Sequence, residues 1–155
     1  MHKHIHGLLL KSPHFPRMRR VHYIVGLATL LAFVLSGQVM SHHHPDIHTL
    51  DDGRRMLFVS RHIYLLASSL LNLALGLYLH IDAAGWRRSA QFAGSALIAA
   101  APVIFGFAFL LDSDRGPAAR TWLATYGWIA LLLGILAHFF ASLGARRIDT
   151  TPHRL

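Results

Sequence analysis

Four long stretches of this chain contain no Lys, Arg, Asp or Glu, and they constrain the fold more than any other feature. They cover residues 21–40, 62–81, 89–111 and 121–145. A helix rises about 1.5 Å per residue, so about twenty apolar residues match the roughly 30 Å hydrocarbon core of a bilayer. Helices in soluble cores seldom need uncharged runs of this length. The sequence therefore predicts an all-α protein, an integral membrane four-helix bundle.

The composition supports this prediction and limits the rest of the chain. Hydrophobic residues make up 54% of the chain and charged residues 14%, which is typical of a protein that lies mostly in lipid. We expect a basic, histidine-containing and disordered arm at 1–20, a membrane domain at 21–145 and a short basic tail at 146–155. The chain has no cysteine, which excludes disulfides, thiolate metal sites, iron–sulfur clusters and covalently attached c-type haem.

The net charge of +8 is unevenly distributed among the segments that connect the spans. If four spans alternate, ten basic residues lie on the side of the termini: Lys3, Lys11, Arg17, Arg19, Arg20, Arg87, Arg88, Arg146, Arg147 and Arg154. Five lie on the other side: Arg54, Arg55, Arg61, Arg115 and Arg120. Because Lys and Arg are enriched on the cytoplasmic side, we expect both termini in the cytoplasm of a bacterial inner membrane. Since the basic residues orient the spans and meet the lipid bilayer, no nucleic acid partner is expected.

The first span has two features of a cleaved secretory signal, because basic residues precede it and small residues end it. Its apolar run exceeds the about 7 to 15 residues of a secretory signal core, and no clear small-x-small cleavage site follows. We therefore interpret it as a retained signal anchor. Met18 is an alternative start of translation.

Small and polar residues, rather than leucines, predict the faces on which the helices pack. Burial of apolar surface does not drive helix association in lipid, so interfaces there are enriched in residues of this kind. Three stripes repeat every four residues: Ala28, Ala32 and Ser36; Ser68, Asn72 and Gly76; Ala130, Gly134 and His138. We expect all three to face the inside of the bundle. Asn72 lies near the middle of its span, so its amide needs a partner on a neighbouring helix or in its own stripe.

Pro102 interrupts the backbone hydrogen bonding of the third span. It has no N–H to donate, and Gly106 follows it by one turn. We expect a bend near the middle of the membrane and a freed carbonyl that a neighbouring helix or water satisfies.

Thirteen histidines suggest two candidate sites, of which the first is a loop on the outer side. Its candidate metal ligands are His42, His43, His44, Asp46 and His48, whose nitrogen and oxygen atoms suit zinc, copper or nickel. Adjacent side chains rarely converge on one ion, and Pro45 disfavours the helix that would align residues four apart. A solvated polar loop is the alternative interpretation.

The second candidate site uses histidines at or inside the spans, where neutral imidazole can ligate haem iron. His22, His80 and His138 lie toward the cytoplasmic side, whereas His62 lies alone at the other side. A single b-type haem, or a quinone, between His138 and either His22 or His80 is therefore one hypothesis. The alternative is that His22 and His80 reach the polar interface. His138 is the best single candidate, because ionisable groups within spans tend to mark function.

Polar residues also crowd the entry of the second span. We expect Asp51 or Asp52 to pair with Arg55 or Arg61 and to tie the preceding loop to the helix. Such a cap also suits a lipid headgroup or a partner. Since no Asp or Glu lies inside a predicted span, a carboxylate proton relay is not expected.

These observations leave three functional hypotheses in order. The first is a non-enzymatic accessory or interaction subunit that associates with itself or with a larger membrane protein. The second is electron transfer by one b-type haem or a quinone. The third is handling of a divalent metal at the outer histidine loop.

Overall fold

The computed structural model describes residues 15–42, 44–80, 85–113, 115, 117–119 and 121–143. Four long helices account for most of them: α1 at Phe15–Ser41, α2 at Asp52–Tyr78, α3 at Gly85–Asp112 and α4 at Leu123–Leu143. Two short 3₁₀ turns, Ile47–Thr49 and Pro117–Ala119, lie in the connections, and the described part of the chain contains no strand. All four helices are long and apolar enough to cross a membrane. The predicted all-α, four-helix membrane protein is confirmed.

The helices extend beyond several of the predicted span boundaries. Helix α1 begins at Phe15, inside the segment that the sequence assigns to the arm 1–20. Helix α2 begins at Asp52, ten residues before the predicted span at 62–81. The Asp51 carboxylate caps it by accepting the Arg54 N–H at 3.0 Å. An uncharged stretch marks only the part of a helix that lies in hydrocarbon. It therefore underestimates the length of a helix that continues into the polar interface. Residues 1–14 and 144–155 lie outside the described ranges.

The helices form two tight antiparallel hairpins, α1–α2 and α3–α4, which meet along α2 and α3. Glycines permit the close approach within each hairpin. A Cβ atom built on Gly76 would lie 2.8 Å from the Tyr23 backbone nitrogen, and one on Gly94 would lie 2.8 Å from the Gly134 carbonyl oxygen. We call the end of the bundle where α1 begins and α4 ends the terminal end. The opposite end, which holds the α1–α2 and α3–α4 connections, is the loop end.

The inward faces agree with the small-residue stripes on α2 and α4, and only in part on α1, where Ser36 is buried. Ser68, Asn72 and Gly76 are buried on α2, as are Ala130 and Gly134 on α4, and His138 is half-buried. On α1 the prediction is wrong for Ala28, which is exposed. The face of α1 that meets α2 instead carries His22, Gly26, Thr29, Phe33 and Ser36. This spacing alternates steps of four and three, as expected for a helix that crosses its neighbour at a small angle.

An apolar cluster fills the centre of the bundle. It comprises Leu65, Ile98, Ala101, Phe105, Ala130 and Leu131. Toward the loop end, the rings of Tyr64, Phe105 and Trp128 pack against one another, with the Tyr64 and Trp128 centroids 5.1 Å apart. This aromatic group joins α2, α3 and α4.

A buried ion pair closes the bundle at the loop end. The Arg61 guanidinium approaches the Asp112 carboxylate at 3.4 Å, and the same carboxylate accepts the Thr121 N–H at 2.7 Å. The predicted pairing within the α2 entry holds for Asp52 and Arg55, which lie 2.7 Å apart. Arg61, the alternative cation in that prediction, has its partner on α3 instead, and this pair connects the two hairpins.

Candidate functional site

A polar connection at the centre of the bundle starts from Pro102. An α-helix bonds each N–H to the carbonyl four residues earlier, so a proline at 102 leaves the Ile98 carbonyl without its usual donor. The Asn72 side-chain amide of α2 fills that role by donating to the Ile98 oxygen at 3.2 Å. The same NH₂ group donates to the Ser68 carbonyl at 2.9 Å. Helix α3 continues through Pro102 without interruption, and Asn72 is the neighbour that satisfies the freed carbonyl.

These two bonds fix the orientation of the Asn72 amide and, through it, the proton of His22. Since both partners of the Asn72 nitrogen are carbonyls, its Oδ1 atom must be the group that faces His22 Nδ1, at 2.8 Å. An amide oxygen only accepts, so Nδ1 of His22 carries the proton. The other ring nitrogen, Nε2, then presents a lone pair. His22 is fully buried, and no described residue lies within hydrogen-bonding distance of its Nε2.

His138 enters the same region from the other hairpin. Its Nε2 lies 3.1 Å from the hydroxyl of Ser95, which is buried on α3 one turn before Ile98. Ser95 lies three residues before Ile98, whose carbonyl accepts from Asn72, so α3 links the two polar groups. The structure therefore brings together His22, Asn72, Ser95 and His138, one from each helix, toward the terminal end. We call this group the histidine cluster.

The two other histidines near the spans lie outside the histidine cluster. His80 is exposed beyond the end of α2, where its Nδ1 donates to the Tyr78 carbonyl at 2.9 Å. His62 lies toward the loop end, with its Nδ1 2.8 Å from the Ser36 hydroxyl and its ring stacked on Phe33 at 4.1 Å. Of the three histidines in the haem hypothesis, His22 and His138 belong to the histidine cluster and His80 does not. Haem or quinone binding there stays a prediction.

The candidate metal loop is not assembled as a ligand group where the structure describes it. The Asp46 carboxylate caps the first 3₁₀ turn by accepting the His48 N–H at 2.9 Å. His42 Nδ1 lies 2.9 Å from the Gln38 carbonyl, and His44 is exposed. His43 lies outside the described residues. Among the described residues, no group of three or more His, Asp or Glu could hold a metal ion. Metal handling at this loop stays a prediction.

The histidine cluster offers one chemical group that its neighbours do not use, the lone pair of His22 Nε2. Such a nitrogen can ligate a metal or a haem iron, or accept a proton from a hydroxyl. Leaving a buried acceptor such as His22 Nε2 without a hydrogen-bond donor costs about 1–3 kcal/mol. Sequence reasoning missed Ser95 as the partner of His138. The carbonyl that Pro102 frees could be identified from the sequence as that of Ile98, because Ile98 lies four residues before the proline.

No family model, curated protein or solved structure matches the chain.

Proposed function

We propose that this protein is a non-enzymatic accessory or interaction subunit of the bacterial inner membrane. The observation that carries the proposal is that polar side chains within the spans bind one another or the backbone across helix boundaries. Such bonds connect α1 to α2, α2 to α3 and α3 to α4: His22 with Asn72, Ser69 with the Gly26 carbonyl, Ser36 with His62, Asn72 with the Ile98 carbonyl, Arg61 with Asp112, and Ser95 with His138.

Their arrangement supports a scaffold rather than a reaction centre. Hydrogen bonds between transmembrane helices stabilise a particular packing, because the alternative is an unsatisfied polar group in hydrocarbon. The carboxylate of Asp112 accepts from Arg61 and from the Thr121 backbone, so it is engaged in holding α2, α3 and the start of α4. A polar core used in this way leaves the outer helix faces for contacts with lipid and with other proteins.

The basic residues support an orientation with the terminal end in the cytoplasm. Arg19 lies there, and its guanidinium donates to the Gly76 and Leu77 carbonyls at 3.1 and 2.6 Å. It thereby satisfies the last turn of α2 and complements its dipole. A reporter fused to the C-terminus should be active only in the cytoplasm, and activity only outside it would contradict this orientation.

Helix α3 provides a place to test the interaction. Its outward face carries exposed small residues, Ala93, Ala96 and Ala100, and small residues are enriched where transmembrane helices meet. Since the chain has no cysteine, Ala96→Cys creates a unique thiol for attachment of a photoactivatable crosslinker in native membranes. We expect a discrete crosslinked product, either a dimer of this chain or an adduct with one membrane protein.

A matched pair of variants then tests specificity. When the protein is purified at its native expression level, the Ala96→Phe variant should no longer co-purify with the partner. Leu132→Phe, which enlarges an exposed residue on α4, should retain it. Purification of a monomer without a stoichiometric partner, together with no discrete crosslinked product from Ala96→Cys, would contradict the proposal.

A second candidate function, electron transfer by one b-type haem or a quinone, is favoured by the His22 geometry. The Asn72 oxygen holds Nδ1–H and thereby directs the Nε2 lone pair of His22 into the bundle, the arrangement that orients ligating imidazoles in metal sites. A haem iron would take that lone pair, whereas a quinol would donate a hydroxyl proton to it. His138, from the other hairpin, would be the second ligand after giving up its bond to Ser95.

An absorption spectrum of protein purified in mild detergent, without added haem and without a polyhistidine tag, separates the two candidates. A Soret band that disappears in both His22→Ala and His138→Ala but persists in His80→Ala would establish the haem site. A colourless preparation without bound quinone in its organic extract would exclude the second candidate and leave the first.

A further inference from the structure

A cavity of about 410 Å³ lies at the loop end, away from the histidine cluster. Its walls come from α2, from the α3–α4 connection and from the first turns of α4. The polar and aromatic residues that line it are Arg61, Tyr64, Thr121, Trp122, Thr125 and Trp128. None of the residues that line the cavity belongs to the histidine cluster.

One wall of the cavity is the start of a 21-residue helix. Ala124 and Thr125 line the cavity and belong to the first turn of α4, where backbone N–H groups have no acceptor within the helix. The Thr121 hydroxyl accepts the Leu123 N–H at 3.3 Å and so satisfies the first of these donors. The remaining donors and the positive end of the helix dipole favour an anionic group at this position.

Arg61 provides a second and independent indication of a ligand. Its side chain is only 8% exposed, and the residue lines the cavity. Two of its nitrogens have partners at 3.4 Å, the Asp112 carboxylate and the Ser60 hydroxyl, which is long for a charged pair. Its Nε is buried and has no hydrogen-bond partner among the described residues. Each terminal nitrogen also carries a second N–H besides the one that binds Asp112 or Ser60. A guanidinium with such donors matches the planar, bidentate geometry of phosphate oxygens.

The carboxylate oxygens of Asp112 are already bonded and do not line the cavity. One of its oxygens faces Arg61 and the other accepts the Thr121 N–H, and Asp112 is not among the lining residues. The polar side chains of the residues that line the cavity carry mainly donors: the Arg61 guanidinium, the threonine hydroxyls and the indoles of Trp122 and Trp128. The Arg61 guanidinium lies over the Tyr64 ring, with Cζ 5.6 Å from the ring centroid.

We propose that this cavity binds a phosphate group, carried by a phospholipid headgroup or present as free phosphate. The lining residues come from α2, from the α3–α4 connection and from the start of α4, at the loop end of the bundle. A phosphate there would accept from Arg61 and from the start of α4 at once, and would connect the two hairpins at the loop end.

The test uses the full chain, delipidated in mild detergent, with three probes. Dioleoyl phosphatidylglycerol carries the phosphate on a lipid, dioleoylglycerol has the same chains without it, and inorganic phosphate has no chains. Native mass spectrometry measures the two lipids, and titration calorimetry measures inorganic phosphate. We expect binding of at least one phosphate-containing probe and no comparable binding of dioleoylglycerol. Binding of phosphatidylglycerol identifies a headgroup, and binding of inorganic phosphate alone identifies free phosphate.

Variants show whether binding occurs in this cavity. Arg61→Gln combined with Asp112→Asn removes both charges together, so no unpaired charge remains buried. We expect it to weaken phosphate binding about tenfold or more, equivalent to about 1.4 kcal/mol. Thr125→Val alters an exposed lining residue and should weaken binding by a smaller factor. Arg54→Gln removes a positive charge from the same end outside the cavity and should leave the affinity within about twofold.

The proposal is overturned if the double variant and Thr125→Val bind both phosphate probes as tightly as the unaltered chain. It is also overturned if dioleoylglycerol binds as well as phosphatidylglycerol and inorganic phosphate does not bind. Size-exclusion profiles and thermal melting of each variant show that a loss of binding does not reflect unfolding.

Discussion

Replacing Asn72 by leucine removes the side chain that connects three helices at the centre of the bundle. The change preserves side-chain volume approximately, but it leaves His22 Nδ1–H and the Ile98 carbonyl without partners. Each unsatisfied buried group costs about 1–3 kcal/mol. Hydrogen bonds between transmembrane helices average only about 0.6 kcal/mol, because the unfolded chain also finds partners in the membrane. We therefore expect a loss of about 2–3 kcal/mol in the free energy of unfolding.

A second substitution tests the reason for this loss. Pro102→Ala restores an N–H that can bond the Ile98 carbonyl within α3. In the unaltered chain that carbonyl already accepts from Asn72, so the gain from Pro102→Ala should be smaller there than in the Asn72→Leu background. The double-mutant cycle should give a coupling of about 1 kcal/mol.

The three tryptophans of the chain report unfolding by fluorescence in mixed detergent micelles. Leu70→Ala is the control, because Leu70 is exposed on the same helix and should change the free energy by less than about 0.5 kcal/mol. Additivity of the Asn72 and Pro102 substitutions within about 0.5 kcal/mol would refute the connection through the Ile98 carbonyl.

Two further predictions concern packing and charge. Gly94→Ala should destabilise the protein by about 1–3 kcal/mol, because its new methyl group meets the Gly134 carbonyl. Gly106→Ala on the same helix faces open space and should be neutral or stabilise by up to about 1 kcal/mol; equal melting temperatures for the two variants would contradict the close approach. Arg61→Gln alone leaves the Asp112 carboxylate buried without its cation and should cost about 3–5 kcal/mol. Adding Asp112→Asn should recover much of that loss, and a double variant no more stable than the single one would show that the ion pair is not the cause.

The uncharged stretches determined the class of the protein, and each of the four helices overlaps one of them. The inward position of Asn72 also followed from the sequence, since an amide in hydrocarbon needs a partner. So did a donor for the carbonyl that Pro102 frees. These features depend on chain-local rules: the length of an apolar helix, the cost of an unsatisfied polar group and the missing N–H of proline.

The tertiary structure decided which groups meet. The sequence placed His22, His80 and His138 at similar depths. In the tertiary structure His80 lies exposed beyond the end of α2, whereas the rotation of α1 turns His22 inward. The same rotation exposes Ala28, which the four-residue repeat had placed inside. Arg61 pairs with Asp112, 51 positions away, rather than with the acids beside it. Depth follows from counting residues along a helix, whereas rotation and pairing depend on how four separate surfaces fit together.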